Sequence, residues 1–355
     1  MSNTNETPVI VEKRGRIGHL RLNRPKAINA LTHEMVGIIQ STLDQWAKDD
    51  QVETVLLTGN GERGLCAGGD IVSLYHDAKA GGTASAAFWR DEYILNATIA
   101  NFPKPYVAIM DGIVLGGGIG LSAHGNIRIV TEKSKIGMPE TGIGFLPDVG
   151  GTFLLSRTPG ETGTHLALTA GSVRAGDAIA LSLADWYVPT SHLDELIAGL
   201  ETTDATELIG KLSEPAPESD LLADRDWVDH CYAGDDLPAI VEKLRGHDHE
   251  SAAKAADIID SKSPTSCAVT LRAVRNAAGF STVEEALNQE YRLALRFHAS
   301  DDFVEGVRAQ VIDKDRNPQW KPPHISALTT DHIDTFFAPL TEPELGLGSG
   351  PLPKE

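Results

Sequence analysis

Cysteine is scarce in this chain. Among 355 residues there are three, Cys66, Cys231 and Cys267, and no two stand at the spacing of a redox pair or a zinc ribbon. That pattern excludes a disulfide framework and a structural zinc cluster, and it fits a reducing compartment. Long apolar runs are missing too; none approaches the roughly 20 residues that a membrane span requires. Basic residues are outnumbered, 31 against 50 acidic, for a formal net charge of -19. Such a surface repels phosphate backbones, so non-specific binding to nucleic acid or anionic membranes is not expected. A small polyanion held by a few local cations remains compatible. The opening Met1–Pro8 has neither an apolar core nor a basic lead, so no signal or transit peptide is expected and the expected location is cytoplasmic. H-E-x-x-H and G-x-S-x-G are absent, which leaves a zinc hydrolase and an α/β-hydrolase serine unsupported. His247-Asp-His249-Glu250 reads as a solvated face, not a metal site.

What is present is an alternation of strands and helices that changes character along the chain. Val9–Val11 and Ile17–Leu22 flank Arg14-Gly15 and predict a β-hairpin. Thr32 is placed to cap a helix whose apolar face is Met35, Ile39, Leu43 and Trp46. Val52–Thr58, Tyr106–Met110 and Ile127–Val130 read as buried strands, and residues 84–101 as a helix. Beyond about residue 190 the strand signals stop and helices separated by polar loops follow, with a Pro/Glu-rich break at Glu214-Pro-Ala-Pro-Glu218. The expected fold class is therefore α/β. Its expected parts are a core over residues 9–190, a mostly helical region over 191–341, and a disordered Gly/Pro-rich tail over 342–355.

Two glycine clusters carry the first chemical signal. Cys66-Ala-Gly-Gly-Asp-Ile71 and Gly116–Gly120 each follow a strand and precede a helix. Glycine there lets bare backbone approach a ligand, and amides at a helix start point outward unsatisfied. Either cluster alone reads as a tight turn; together they can donate one N–H each to a common oxygen, an oxyanion hole. Gly118-Ile-Gly120-Leu-Ser-Ala123 nominally fits a dinucleotide fingerprint, but it lies mid-chain with no acid at the expected distance. Glu140 and Asp148 then stand eight residues apart in a Gly/Pro-rich loop, candidates for acid–base work. Asp148 is equally a candidate N-cap for a helix beginning near Gly150.

Taken in order, Asn23-Arg-Pro-Lys-Ala-Ile-Asn-Ala30, Cys66–Ile71, Gly116-Gly-Gly118, Met138-Pro-Glu140 and Gly150-Gly151 resemble the crotonase (enoyl-CoA hydratase/isomerase) superfamily. The resemblance covers about residues 9–325. It implies a spiral of β-β-α turns with acyl-CoA across its mouth and oxyanion amides at Gly69 and Gly117. It also implies CoA contacts from Arg24, Lys26, Ala27, Ala67, Gly69 and Asp70, and an acyl pocket lined by Glu92, Gly117, Glu140 and Asp148. No cofactor is implied, because CoA is part of the substrate. The family often forms homo-oligomers, although the extended C-terminal part can cover that interface.

Within the family, the loop Met138–Gly151 is similar to that of enzymes that hydrolyse the thioester of a short 3-hydroxyacyl-CoA. So are Ser263-Pro-Thr-Ser266, Glu290-Tyr-Arg292, Asp302–Arg308 and Ile312–Pro322, a block that ordinary hydratases lack. Hydratases carry two catalytic glutamates. Glu140 matches one, and Gly120 stands in place of the other. Adding water across a double bond divides base and acid work between such a pair, so hydrolysis is the expected reaction. Glu140 acts in it either as nucleophile or as the base for a water. The alternatives are an enoyl-CoA hydratase or isomerase, and a non-catalytic or RNA-binding relative.

Overall fold

The hairpin around Arg14-Gly15 forms as expected. In the computed structural model, which describes residues 7–348, β1 (Val9–Arg14) pairs antiparallel with β2 (Ile17–Leu22), Val9 opposite Leu22 and Arg14 opposite Ile17. From β2 the sheet continues in parallel through β3 (Thr54–Gly59) and β4 (Tyr106–Met110). Two further strands of this sheet are labelled after β5 (Ile113–Leu115): β6 (Ile127–Val130) joins β4, and the short β9 (Trp186–Tyr187) closes the far edge. β7 (Lys135–Gly137) and β8 (Ser172–Val173) form a three-stranded sheet with β5. β3 and β4 are buried almost throughout because parallel strands are covered on both faces. The helix His33–Trp46 begins where Thr32 accepts the Met35 N–H (3.3 Å) and buries Met35, Ile39, Leu43 and Trp46, the expected face.

Two compact units emerge from this chain, each made of separate stretches. The first holds the residues up to Gly69, Ile94–Ile136 and Val173–Ser219. It contains the six-stranded sheet and a core in which Ile17, Leu56, Val107, Ile109 and Ile129 meet Leu196, Leu200, Leu208, Ile209 and Leu212. The helices Leu193–Gly199 and Ala205–Leu212 therefore belong with the sheet, and the chain leaves this unit for the last time just after the Glu214–Glu218 break. Element type changes at about residue 190; compactness changes at Ser219.

The second unit holds Asp70–Tyr93, Gly137–Ser172 and everything described from Asp220 onward. It is built on helices, with a core of Trp227, Val228, Tyr232, Ile240, Leu244, Ala256, Ile259 and Leu271. One expectation needs correction here. The stretch from residue 342 does not begin as a loose tail: Glu344 pairs with Arg292 (3.0 Å), Leu345 and Leu347 are buried, and Asn288 bonds the Leu347 backbone in both directions. Two buried leucines outweigh the Gly/Pro composition that suggested disorder. Residues 349–355 of that expected tail lie outside the described residues. No helix among the described residues is long and apolar enough to cross a membrane.

Candidate active site

In the first unit the two glycine turns adjoin. Cys66 bridges Val114, the Leu115 N–H donates to the Cys66 carbonyl (3.0 Å), and the Cys66 N–H donates to Ile113 (3.1 Å). At Gly118 there is no room for a side chain: a β-carbon would stand 2.6 Å from the Cys66 carbonyl oxygen. Gly117 opens the short helix Gly117–Ser122, and Gly69 bridges Leu31. Neither the Gly69 nor the Gly117 N–H donates to another described residue. Each of these two neighbouring turns thus leaves an amide open.

The CoA-side residues lie in the same unit, apart from Asp70, which precedes the helix Ile71–Ala80 at the start of the second. Lys26 and Ala27 are exposed on a 3-10 turn, Pro25–Ala27. Arg24 turns its guanidinium back to the Ala30 carbonyl. Arg63, not anticipated from sequence, braces the turn by donating to the carbonyls of Pro25 (2.8 Å) and Lys26 (2.5 Å). Ala67 is tied to Ile28 through its N–H (2.9 Å).

The second unit brings together four buried carboxyls. Glu92 on the helix Ala84–Ala100 is 2% exposed, Glu140 and Asp148 are each 6% exposed, and Glu290 on the helix Val283–His298 is fully buried. Glu92 sits one turn from Phe88 and Trp89 on the buried face of its helix. The Tyr93 hydroxyl donates to Asp148 Oδ2 at 2.7 Å. Glu92 Oε1 and Glu140 Oε2 have no hydrogen-bond partner among the described residues. Orphaned buried oxygens are rare in folded proteins and commonly mark a place where a ligand completes the bonding.

Burial sets the electrostatics of this cluster. It raises Glu92 well above the usual carboxylate range, with the Asp148 charge adding to the effect. It raises Glu140 in the same way, with Asp148 and Glu92 reinforcing it. Asp148 is pushed up to about 7 by burial, opposed by the Tyr93 hydroxyl. Glu290 is likewise pushed up to about 7 by burial, against the bonds it accepts from Thr152 and Gly150. Buried acids this near one another raise each other's proton affinity, so ionising one makes ionising the next harder. That is the condition in which a carboxyl can take up and return a proton.

The loop that carries Glu140 and Asp148 is held from outside itself. Glu140–Ile143 is a 3-10 turn. A β-carbon on Gly144, whose φ is +72°, would meet the Asp302 carbonyl oxygen at 2.1 Å, so the loop lies directly on the helix Asp301–Val307. Phe145 stacks on Trp89 (5.3 Å between ring centres) and packs against Phe297 and Phe303. Asp148 is not the N-cap of the following helix, and that expectation is corrected. The helix Gly151–Leu155 is preceded by Gly150 at its N-cap, and the Gly150 and Thr152 N–H groups donate to the distant Glu290. The Asp148 side chain is thereby left to Tyr93 and the pocket.

Residues 17–337 match the family model described as enoyl-CoA hydratase/isomerase. The chain belongs to the crotonase superfamily. Among its crotonase relatives, the mitochondrial 3-hydroxyisobutyryl-CoA hydrolase of Danio rerio is 38% identical over 358 residues, covering 98% of this chain and 94% of the relative. A solved carnitinyl-CoA dehydratase from Mycobacterium thermoresistibile superposes with a TM-score of 0.94 at 48% identity, covering 97% of this chain and 100% of that one. A solved enoyl-CoA hydratase from Rhodobacter sphaeroides 2.4.1 superposes at 0.88 and 41% identity, with 94% and 98% covered. The α/β crotonase-like fold, a β-β-α spiral core with a helical C-terminal region, is that of these structures. As a crotonase, the protein is an enzyme acting on an acyl-CoA thioester, by hydration or hydrolysis.

The cytoplasmic expectation is overturned by the same comparison. Eight relatives at 34–38% identity are all named as mitochondrial proteins. Few cysteines and the absence of a spanning segment are shared by proteins of either compartment, which is why composition misled.

Proposed function

We propose that this crotonase hydrolyses the thioester of a short 3-hydroxyacyl-CoA, most plainly 3-hydroxyisobutyryl-CoA to 3-hydroxyisobutyrate and CoA, a step of valine catabolism. One observation carries the reading: the carboxyls are all on one side of the division of labour. Among the described residues, no Asp or Glu of the first unit is buried; the position where hydratases hold a second glutamate is Gly120, buried on the Gly117–Ser122 helix. The second unit instead holds Glu140, Asp148 and Glu92 together. Hydration needs two carboxylates placed for opposite faces of a double bond; hydrolysis needs one to act on the acyl carbon.

In this mechanism the thioester carbonyl accepts hydrogen bonds from the Gly69 and Gly117 amides, which stabilise the oxygen as it becomes negative. Glu140, whose raised proton affinity makes it an effective base once its own proton is lost to solvent, acts on the acyl carbon by one of two routes. It takes a proton from a water whose oxygen bonds to that carbon, and the proton follows the electron pair to sulfur as the C–S bond breaks. Alternatively its own oxygen attacks and the C–S bond breaks to release CoA as the thiolate; water then opens the resulting anhydride, regenerating the Glu140 carboxylate and supplying the proton that the thiolate takes up. Asp148, held by Tyr93, orients the water or accepts the 3-hydroxyl of the acyl group. Glu92 lines the acyl end, and Lys26 meets CoA phosphate.

A second reading is supported by the names of the solved relatives, a dehydratase at 48% identity and a hydratase at 41%. Thiol release from 3-hydroxyisobutyryl-, 3-hydroxypropionyl- and acetyl-CoA, measured beside hydration of crotonyl-CoA, separates the two. Thiol release from the hydroxylated substrates that is at least tenfold faster than hydration is expected. Faster hydration replaces the hydrolase reading with the hydratase one, and neither activity together with no CoA-dependent thermal shift favours a non-catalytic relative.

A further inference from the structure

Glu290 lies 138 residues beyond Thr152 in the chain and touches nothing assigned to substrate, yet it is fully buried and its two oxygens accept three hydrogen bonds. Oε2 takes the Gly150 N–H (2.6 Å); Oε1 takes the Thr152 N–H (2.9 Å) and the Thr152 hydroxyl (2.5 Å). Between these bonds and Asp148 lies a turn in an unfavourable backbone region. Val149 has φ +52° and Gly150 φ +79°. Positive φ is an outlier for a β-branched residue, and strain of this kind persists only where the surroundings over-determine it. Here they do: the Gly151 N–H closes onto the Asp148 carbonyl (2.6 Å), and Glu290 holds the two amides on either side of Gly151.

We propose that Glu290 is the positioning residue for Asp148: its three bonds hold the Asp148–Val149–Gly150 turn in its strained form and so keep the Asp148 carboxylate against the Tyr93 hydroxyl. A carboxylate suits this task because it only accepts. Glutamine in its place would present an NH2 group to at least one of the three donors. The choice is costly, since Glu290 adds a fourth buried acid beside Asp148, and the Asp148 charge adds to the burial that raises its pKa. A purely structural cap would be served by Asn or Ser without that cost. The inference rests on the functional reading only in assuming that Asp148 contributes to turnover.

A double-mutant cycle on the full chain tests it. Glu290→Gln is expected to lower kcat roughly 100-fold with KM within threefold, the loss that a displacement near 1 Å produces. In an Asp148→Asn background the same change is expected to cost less than threefold, because Glu290 then has nothing left to position. Equal losses in both backgrounds, or kcat within threefold of wild type in the single variant, overturn the proposal. Should Glu290→Gln fail to fold, Thr152→Val removes one of the three bonds at constant volume. It is expected to lower kcat three- to tenfold, again only when Asp148 is present, and an unchanged kcat overturns the proposal. If the wild-type enzyme hydrates and does not hydrolyse, the functional reading falls and the cycle is read on hydration. If it does neither, a crystal structure of either variant decides: loss of the 2.7 Å Tyr93–Asp148 contact supports the role of Glu290, and its retention refutes it.

Discussion

The first unit carries open main-chain amides, the second carries buried carboxyls. In the first, a covered parallel sheet ends in glycine turns whose amides are open, and buried polar side chains such as Asn29 and Thr58 are neutral groups that bond across the unit. In the second, every buried Asp or Glu of the described residues is found: Glu92, Glu140, Asp148, Glu290 and Asp302. The difference teaches why one fold can serve several acyl-CoA reactions. Binding the developing oxyanion depends on main-chain geometry that side-chain substitution hardly alters. Proton transfer depends on carboxyls whose number and burial can be changed residue by residue.

Breaking the carboxyl half is expected to have the largest effect. Glu140→Gln keeps the volume and removes the charge, and thiol release should fall about 10²–10⁴-fold with CoA binding, measured by calorimetry, retained. Turnover within a few-fold of wild type would remove Glu140 from the mechanism. Next is the backbone half. Gly118→Ala must push the Gly116–Gly118 turn away from Cys66, since the new β-carbon would lie 2.6 Å from a carbonyl oxygen. Loss of one oxyanion donor costs about 10²–10³ in kcat, and a folded variant with less than tenfold loss would argue against the Gly117 amide as a donor.

The remaining two sharpen the contrast. Asp148 has a folded pKa raised to about 7 from an ordinary 3.8, so the folded state favours its protonated form. The stability this contributes is complete below the ordinary value and is lost as pH rises through about 7. Asp148→Asn should therefore raise the melting temperature at pH 8, by roughly 2–8 °C for about 1–2 kcal/mol, with the gain vanishing toward pH 4. A gain that is the same at both pH values would mean that the acid is not strained by its burial. The smallest effect is expected on the exposed rim. Lys26→Ala should raise KM for the CoA substrate by at most about fivefold, less in high salt, and leave kcat unchanged.

Much of this was legible in the chain. The hairpin, the Thr32-capped helix, the buried strands and both glycine turns follow from periods, caps and turn residues, and the ordered motifs marked the family. What escaped was held by contacts across large sequence separations. Asp148 read as a helix cap because capping is a local pattern; Tyr93, 55 residues away, claims its side chain, and Glu290 does the capping instead. A signal for Glu290 was nevertheless present. It occupies the apolar stripe Ala286, Leu287, Leu293, Ala294 and Phe297 of its helix, where a carboxyl is out of place. Glu92, one turn from Phe88 and Trp89, shows the same sign. An acid within an apolar stripe is buried with its charge unpaid in water, and burial there calls for a partner or a task.

Composition and pattern therefore determined the class of this protein, an acidic α/β chain with two glycine turns after strands, and the ordered motifs marked its family. Only the tertiary structure decided that four acids lie buried near one another, which of them carry orphaned oxygens, and that residue 290 holds the turn at 148–150. The reason is physical. Strand and helix periods and turn preferences act over a few residues, whereas a carboxyl's proton affinity is set by the whole environment that removes it from water.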